Sequence, residues 1–199
     1  MELKDDIDVN KITDYGALDE VIRSVFPPDR LLEPDDVRGE FSSLREALTE
    51  EGWPRIDLVR GQTMFLLLES GEHAENYSQN YQTLEGRPIF VQTGHENFDV
   101  PIASVAKINN AGSTDIIADA VKRRLLVASN IGSADGTDEE NAAKRSTALD
   151  SGANMLCDDF PAPVDGRSYW LDMPDGAPSR CNPLRARDEC TSEGLESLN

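Results

Sequence analysis

Short runs of consecutive apolar residues recur along this chain, and each run is about the length of one β-strand. Polar loops and longer segments with helical hydrophobic spacing separate them. Continuous apolar runs are typical of parallel strands that are covered on both faces. The core strands predicted on this basis are residues 63–68, 88–92, 102–108, 125–128 and 154–157, with a further strand at 1–6 and a peripheral one at 168–173.

Helices are predicted between the apolar runs from hydrophobic spacing and from their end signals. The first covers residues 15–26, where four apolar residues share one face and Pro27 ends the helix. The sequence Glu33-Pro34-Asp35-Asp36 is a further helix-start or turn signal. The other predicted helices run from Ser42 or Ser43 to about Glu51, from Ser113 or Thr114 to Arg123, and from Asp138 to Ser151, with Gly152 closing the last.

The alternation of strands and helices predicts an α/β fold with parallel strands. Five core strands are too few to close an eight-stranded barrel, and 199 residues fall short of the roughly 250 of a complete one. The pattern therefore predicts a partial (β/α)8 TIM-type barrel that covers roughly the last five strands. We expect residues 1–176 to form this barrel portion and residues 177–199 to form an irregular polar tail.

The charge balance argues against nucleic acid as a partner. The chain has 38 acidic and 19 basic residues and a net charge of −19, so its surface repels nucleic acid and anionic lipid unless counter-ions intervene. Only 5 of the 19 basic residues are lysines, a bias that fits adaptation to high salt; ordinary acidic solubility is the alternative. No apolar run approaches the roughly 18 residues of a membrane span.

The three cysteines divide into two kinds. A disulfide between Cys181 and Cys190 would close a small loop, pin the tail, and imply an oxidising, extracytoplasmic location. Two unpaired thiols in the tail are the alternative. Cys157 lies in an apolar run and is predicted to be a small buried residue. The chain itself carries no basic-then-apolar signal segment.

Short motifs, each weak alone, follow one another in order over nearly the whole chain. They are residues 2–6 (ELKDD), 18–26, 34–39, 44–47, 52–54, 60–65, 84–87, 148–153, 158–161 and 181–183. In order and spacing they resemble the bacterial calcium-dependent phosphoinositide-specific phospholipase C family. This family is related to eukaryotic phosphoinositide phospholipases and, more distantly, to glycerophosphodiester phosphodiesterases.

The resemblance implies a TIM-type barrel that cleaves phosphodiesters of inositol lipids or related substrates, with Ca²⁺ as cofactor. It implies that Glu2, at the end of a strand, helps to hold Ca²⁺, which needs several oxygen ligands. Lys4 and Lys107 would face the substrate phosphate. The alternatives are a solvated Glu2, a salt bridge from Lys4 to a neighbouring aspartate, and a Lys107 that reaches solvent. Asp159 would be mainly structural, at the barrel mouth.

The departures from the family pattern bear on activity. The family uses two histidines, one in a His-Asn motif, as general base and acid, and these belong to its first three strands. His73 and His95 lie in polar segments, do not match that pattern, and are predicted to be on the surface. Residues 128–132 stand where relatives carry an Arg-Thr-Arg-Ala-Asp-like element, and both arginines are gone. Gln62 replaces a common lysine, so phosphate binding should be weakened.

These observations lead to one leading hypothesis and two alternatives. The leading hypothesis is the C-terminal portion of a phospholipase C-like phosphoric diester hydrolase, with no catalytic residue identified in this chain and its own activity undecided. The first alternative is a non-catalytic, secreted half-barrel module; the second is a glycerophosphodiester phosphodiesterase-like hydrolase. The partner would be a phosphoinositide or other phosphodiester, in an extracellular or periplasmic location. Motifs of metalloproteases, nucleotide-binding proteins and Ser-His-Asp hydrolases are missing from the sequence.

Overall fold

The computed structural model describes residues 15–197 and has the α/β architecture with parallel strands that the sequence predicts. The opening strand predicted at residues 1–6 lies outside the described residues. The strands are β1 (Phe65–Leu67), β2 (Ile89–Val91), β3 (Val105–Lys107), β4 (Leu126–Asn130) and β5 (Met155–Cys157). The helices are α1 (Tyr15–Val25), α2 (Pro34–Arg38), α3 (Leu44–Glu50), α4 (Ile56–Val59), α5 (Glu72–Tyr77), α6 (Thr114–Lys122), α7 (Asp138–Ser151) and α8 (Ser192–Glu196).

The described residues form two compact units, the first of residues 15–107 with 123–125 and the second of residues 108–122 with 126–197. In the first unit, β1 pairs with β2 in parallel, with Phe65 opposite Ile89. Isolated parallel bridges extend this row on both sides, from Leu31 to Thr63 and from Gln92 to Val105. All three residues of β2 are fully buried, so this strand lies in the centre of the core.

The first helices of this unit form where their end signals place them. Ser43 Oγ accepts a hydrogen bond from the Glu46 amide and caps α3, whose Leu44, Ala47 and Leu48 are buried as predicted. A capping box between Glu33 and Asp36 opens α2. These contacts confirm the predicted start of α3, and they show that the signal at Glu33, which the sequence left open between a helix start and a turn, starts a helix.

A buried polar network crosses the first unit. Asp19 is 5% exposed; its Oδ1 accepts from the Tyr77 hydroxyl at 2.6 Å and its Oδ2 accepts from Arg87 Nη1 at 2.7 Å. The Arg87 guanidinium also lies over the Tyr77 ring, 4.8 Å from its centroid. Because the carboxylate keeps both hydrogen bonds and an opposite charge, the network satisfies the polar groups that α1 and α5 bury.

In the second unit, β4 and β5 pair in parallel, with Ala128 opposite Met155. Helix α7 precedes β5 and has the predicted bounds, because Thr137 and Glu140 form a capping box at its start. Gly152 ends it in the left-handed conformation, with φ of 87°.

The tail folds back on the end of α7. Cys181 and Cys190 are joined by a disulfide, which is one of the two states that the sequence left open. Inside this disulfide loop, Asn182 Nδ2 donates to the Gly152 carbonyl at 2.6 Å. A Cβ at Gly152 would lie 2.5 Å from Leu184 Cδ1, so only glycine permits this close approach. The domain boundary predicted at residue 176 stays a prediction.

Several sequence predictions are wrong. Cys157 is exposed rather than buried, because it ends β5, a strand whose residues are half-buried at most. Residues 168–173 form no regular strand. Within this segment, the Leu171 amide donates one hydrogen bond to the Phe160 carbonyl. Helices α4, α5 and α8 were not predicted, and α8 lies in the tail that was expected to be irregular. Within residues 15–197, no helix has the length and apolar character needed to span a membrane.

The Tyr77 hydroxyl makes the stability of the protein sensitive to alkaline pH. Burial, and then the hydrogen bond to Asp19, raise the pKa of Tyr77 above its ordinary value of 10.0. Above about pH 10 the unfolded chain releases this proton while the folded protein keeps it, so rising pH favours unfolding by up to about 1.4 kcal/mol per pH unit. We expect urea midpoints to fall more steeply between about pH 9 and pH 11 in the wild type than in Tyr77→Phe. Equal slopes in the two proteins would contradict this assignment.

Candidate functional site

Two polar residues, Gln92 and Lys107, lie at the carboxyl ends of strands in the first unit. Because the strands are parallel, their carboxyl ends face the same way, and this is the edge at which parallel α/β proteins place ligands. Lys107 ends β3, as predicted, and is half-buried. Its backbone amide donates to Gln92 Oε1 at 3.1 Å. Gln92, which follows β2, therefore fixes the backbone that carries Lys107.

The two histidines also follow strands of this unit but have different partners. His73 lies in α5, after β1, and its Nδ1 is 3.1 Å from the Tyr15 hydroxyl. It is half-buried in a helix, which corrects the prediction of a surface loop. His95 lies after β2 in a short turn, exposed as predicted, with its ring 5.2 Å from that of Phe98. The described contacts do not bring the two imidazoles together as an acid–base pair.

In the second unit, Asp158 follows the carboxyl end of β5 and is held by two donors. Its Oδ2 accepts from the Tyr169 hydroxyl and its Oδ1 accepts from the Phe160 amide at 2.8 Å. Burial and this bond to Asp158 raise the pKa of Tyr169. A Cβ at Gly132 would lie 2.5 Å from both carboxylate oxygens. The carboxylate therefore needs a glycine at position 132.

Other acidic residues of the second unit are also bound to protein donors. Asp159 Oδ2 accepts from the Ala134 amide at 2.9 Å, and its predicted place at a barrel mouth stays a prediction. Asp138 accepts from the Ser168 amide at 2.6 Å and from Ser168 Oγ at 2.7 Å. The Ser168 bonds, and then Arg167, hold the pKa of Asp138 below its usual value. These carboxylates serve the fold.

The described residues do not fit a calcium site. Ca²⁺ takes six to eight oxygen ligands, but residues 15–197 contain no group of three or more His, Cys, Asp or Glu placed to hold a metal ion. Both oxygens of Asp158 are already bonded to protein donors. Glu2, the predicted Ca²⁺ ligand, and Lys4, the predicted phosphate contact, lie outside the described residues. No chemical step through Ca²⁺ is therefore derived from these residues.

This chain lacks basic residues at two places where the family pattern has them. Residues 128–132, where the resemblance implied two arginines, include the carboxyl end of β4. Ser129 Oγ, at this end, is buried and has no hydrogen-bond partner among the described atoms. Gln62 precedes β1, near its amino end. Its predicted effect on phosphate binding stays a prediction.

Sequence reasoning missed Asp158 and Gln92. Asp158 and Asp159 are adjacent and identical, and successive residues of an extended chain point to opposite sides. Nothing in the sequence says which of the two faces Tyr169. Gln92 gave no signal because its role is a contact to the backbone of another strand.

Comparison with known proteins identifies the family. The sequence model of the family described as phosphoinositide phospholipase C, Ca²⁺-dependent, matches residues 5–183. The chain therefore belongs to this family of phospholipase C-like proteins, which confirms the resemblance. No curated protein matches the chain.

The fold is also similar to a solved structure, that of a Ca²⁺-dependent phosphatidylinositol-specific phospholipase C from Streptomyces antibioticus. The TM-score is 0.57 at 18% sequence identity, and the similarity covers 78% of this chain. At that identity the likeness shows the fold alone. The matched region spans 61% of the length of the Streptomyces protein.

The contact between Gly132 and Asp158 can be tested by a double-mutant cycle. Gly132→Ala should lower the free energy of unfolding by about 1–3 kcal/mol, because the new methyl group displaces a carboxylate held by two hydrogen bonds. In an Asp158→Ala background the same change should cost much less. Urea denaturation of the four proteins measures both steps. An equal cost in the two backgrounds would show that Asp158 is not what excludes the methyl group.

Proposed function

We propose that this chain forms the later strands of a (β/α)8 barrel that acts in calcium-dependent cleavage of inositol-lipid phosphodiesters. The observation that carries the proposal is the family match over residues 5–183. Two features support the barrel: parallel strands alternate with helices, and the matched region spans 61% of a solved phospholipase C. The substrate class, a phosphoinositide or related diester, follows from the family.

Within this proposal, Lys107 binds the substrate phosphate. It is a cation at the carboxyl end of a barrel strand, and its backbone is fixed by Gln92. A positively charged donor to a phosphate oxygen makes a charge-assisted hydrogen bond, which is about twice as strong as a neutral one.

We further propose that residues 15–197 supply substrate binding and not proton transfer. The family reaction needs a general base and a general acid, and a base must lie within hydrogen-bond reach of the proton that it removes. His73 is bonded to Tyr15, whereas His95 lies in a separate turn against Phe98. Glu2 as Ca²⁺ ligand and Lys4 as second phosphate contact remain part of the proposal from their sequence positions.

A non-catalytic secreted module is the second candidate, and the two missing arginines favour it. The genomic sequence upstream of Met1 separates the two. An open frame that encodes a His-Asn-containing half-barrel would support the enzyme; a stop codon followed by a promoter would support the module. The glycerophosphodiester phosphodiesterase alternative gains no support from the family match.

The proposed location is extracellular or periplasmic. The disulfide between Cys181 and Cys190 supports it, since disulfides persist in oxidising compartments.

The role of Lys107 can be tested by calorimetric titration with inositol phosphate. We expect Lys107→Gln to weaken binding by about tenfold, because a charge-assisted bond to phosphate is lost. Lys144→Gln, on the exposed part of α7, is the matched control: it removes the same charge and should leave the affinity unchanged. If both variants weaken binding equally, the effect is one of net charge and the assignment fails. It fails equally if Lys107→Gln binds as tightly as the wild type.

A further inference from the structure

A cavity of about 330 Å³ lies in the second unit, between the start of α7 and residues 168–172. Helix α7 contributes four lining residues that follow one face of the helix: Asp138, Glu139, Ala142 and Arg145. Ala142 is the smallest of the four and leaves room between the longer side chains. Lys107, the proposed phosphate contact, belongs to the first unit and is not among the lining residues.

Trp170 is exposed at this cavity, although the residues on both sides of it are packed into the fold. Trp170 is 36% exposed, whereas Tyr169 is 4% exposed and Leu171 packs against a buried hydrophobic cluster. The Tyr169 hydroxyl donates to Asp158, and the Leu171 amide donates to the Phe160 carbonyl. The anchored neighbours therefore present a large, flat side chain at the surface. Tryptophan, with its apolar ring and single N–H donor, is the residue type most enriched where proteins bind partners.

Arg145 fixes the backbone that carries Trp170. Its Nη1 donates to the carbonyls of Trp170 at 3.4 Å and of Asp172 at 3.2 Å. The Asp172 amide in turn donates to the Trp170 carbonyl at 2.8 Å, which closes a three-residue turn. At the other end of the segment, the amide and the hydroxyl of Ser168 both donate to Asp138. Because this backbone is held before a ligand arrives, binding requires little further ordering of it.

The polar groups that line the cavity with Trp170 include both acceptors and donors. The carboxylates of Asp138, Glu139 and Asp172 accept hydrogen bonds, whereas the Arg145 guanidinium only donates them. An anion would lie close to three carboxylates, and a cation would lie close to a guanidinium. The excess of acid in the lining does not itself select a cation, because acidic residues outnumber basic ones 38 to 19 along the whole chain. An alkyl chain would cover these polar groups without pairing them. A neutral ligand with several hydroxyl groups can pair with both kinds.

We propose that this cavity binds an uncharged sugar ring. The C–H groups on one face of the ring lie against the Trp170 indole and exclude water from it. The sugar hydroxyl groups donate to Glu139 and Asp172 and accept from Arg145, and hydrogen bonds to charged groups are the stronger ones. At roughly 30 Å³ for each water-sized group, the cavity holds about eleven groups, and a hexose has about twelve non-hydrogen atoms. This inference does not depend on the proposed phosphodiesterase function.

The test is calorimetric titration of the full chain with the methyl glycosides of glucose, galactose, mannose and N-acetylglucosamine. We expect at least one of them to bind, and Trp170→Ala to weaken that binding by about tenfold or more, because the indole surface is lost. Trp170→Tyr keeps an aromatic ring and should retain part of the affinity. Trp53→Phe is the matched control: it changes the other tryptophan of the chain, in the first unit, and should bind the sugar like the wild type. Circular dichroism confirms that each variant is folded.

Two further measurements locate the sugar and separate it from a charged ligand. In Trp53→Phe, where Trp170 is the remaining tryptophan, the bound sugar should shift the fluorescence emission to shorter wavelengths, since it removes water from the indole. Glucuronate adds a carboxylate to the same kind of ring. It should bind about tenfold more weakly than the neutral glycoside, because three carboxylates line the cavity.

Four results would overturn the proposal. They are no binding of any of the four glycosides by the folded wild type, a folded Trp170→Ala variant that binds as the wild type does, sugar binding that leaves the emission of Trp170 unchanged, and glucuronate binding as tight as that of the neutral glycoside. Choline supplies a cation that can lie on an indole face. Choline binding that depends on Trp170, without glycoside binding, would assign the cavity to a cation and reject the sugar site.

Discussion

Parallel strand pairing is the constraint on which this structure depends. A parallel pair cannot be closed by a tight hairpin, so the chain must leave each strand at one edge and return through a crossover. Helices such as α5, between β1 and β2, and α7, between β4 and β5, are these crossovers. As a result, the residues that follow the strands within each unit gather at one edge, which places Gln92 and Lys107 together in the first unit. At such an edge, the loop residues that bind ligands can differ between proteins while the strands keep the same structure.

Much of the fold was predictable because the local signals agree with the tertiary contacts. Helix α7 has the predicted bounds because a capping box opens it and a left-handed glycine closes it. The apolar runs predict the positions of all five described strands. Four of these strands are shorter in the structure than the predicted run, and β4 is longer. Helix α5 was missed because it buries only Ala74 and Tyr77 and its other residues are polar. Cys157 was misplaced because exposure at the end of β5 depends on what lies beside the sheet, which local sequence does not encode.

The candidate sites were less predictable than the fold. The position of Lys107 at a strand end followed from the apolar run before it, while its role stays a prediction. The hydrogen bond from the Tyr169 hydroxyl to Asp158 joins residues eleven positions apart, and no local pattern indicates it.

Under the proposed function, the described residues bind the phosphodiester and other groups transfer the protons. The most direct test is an assay of inositol phosphate release from phosphatidylinositol vesicles by this 199-residue chain, in calcium and in a chelator. The account predicts no release above the rate without protein in either condition. Calcium-dependent release that is abolished by His73→Ala or His95→Ala would contradict it, because it would place the catalytic imidazoles within the described fold.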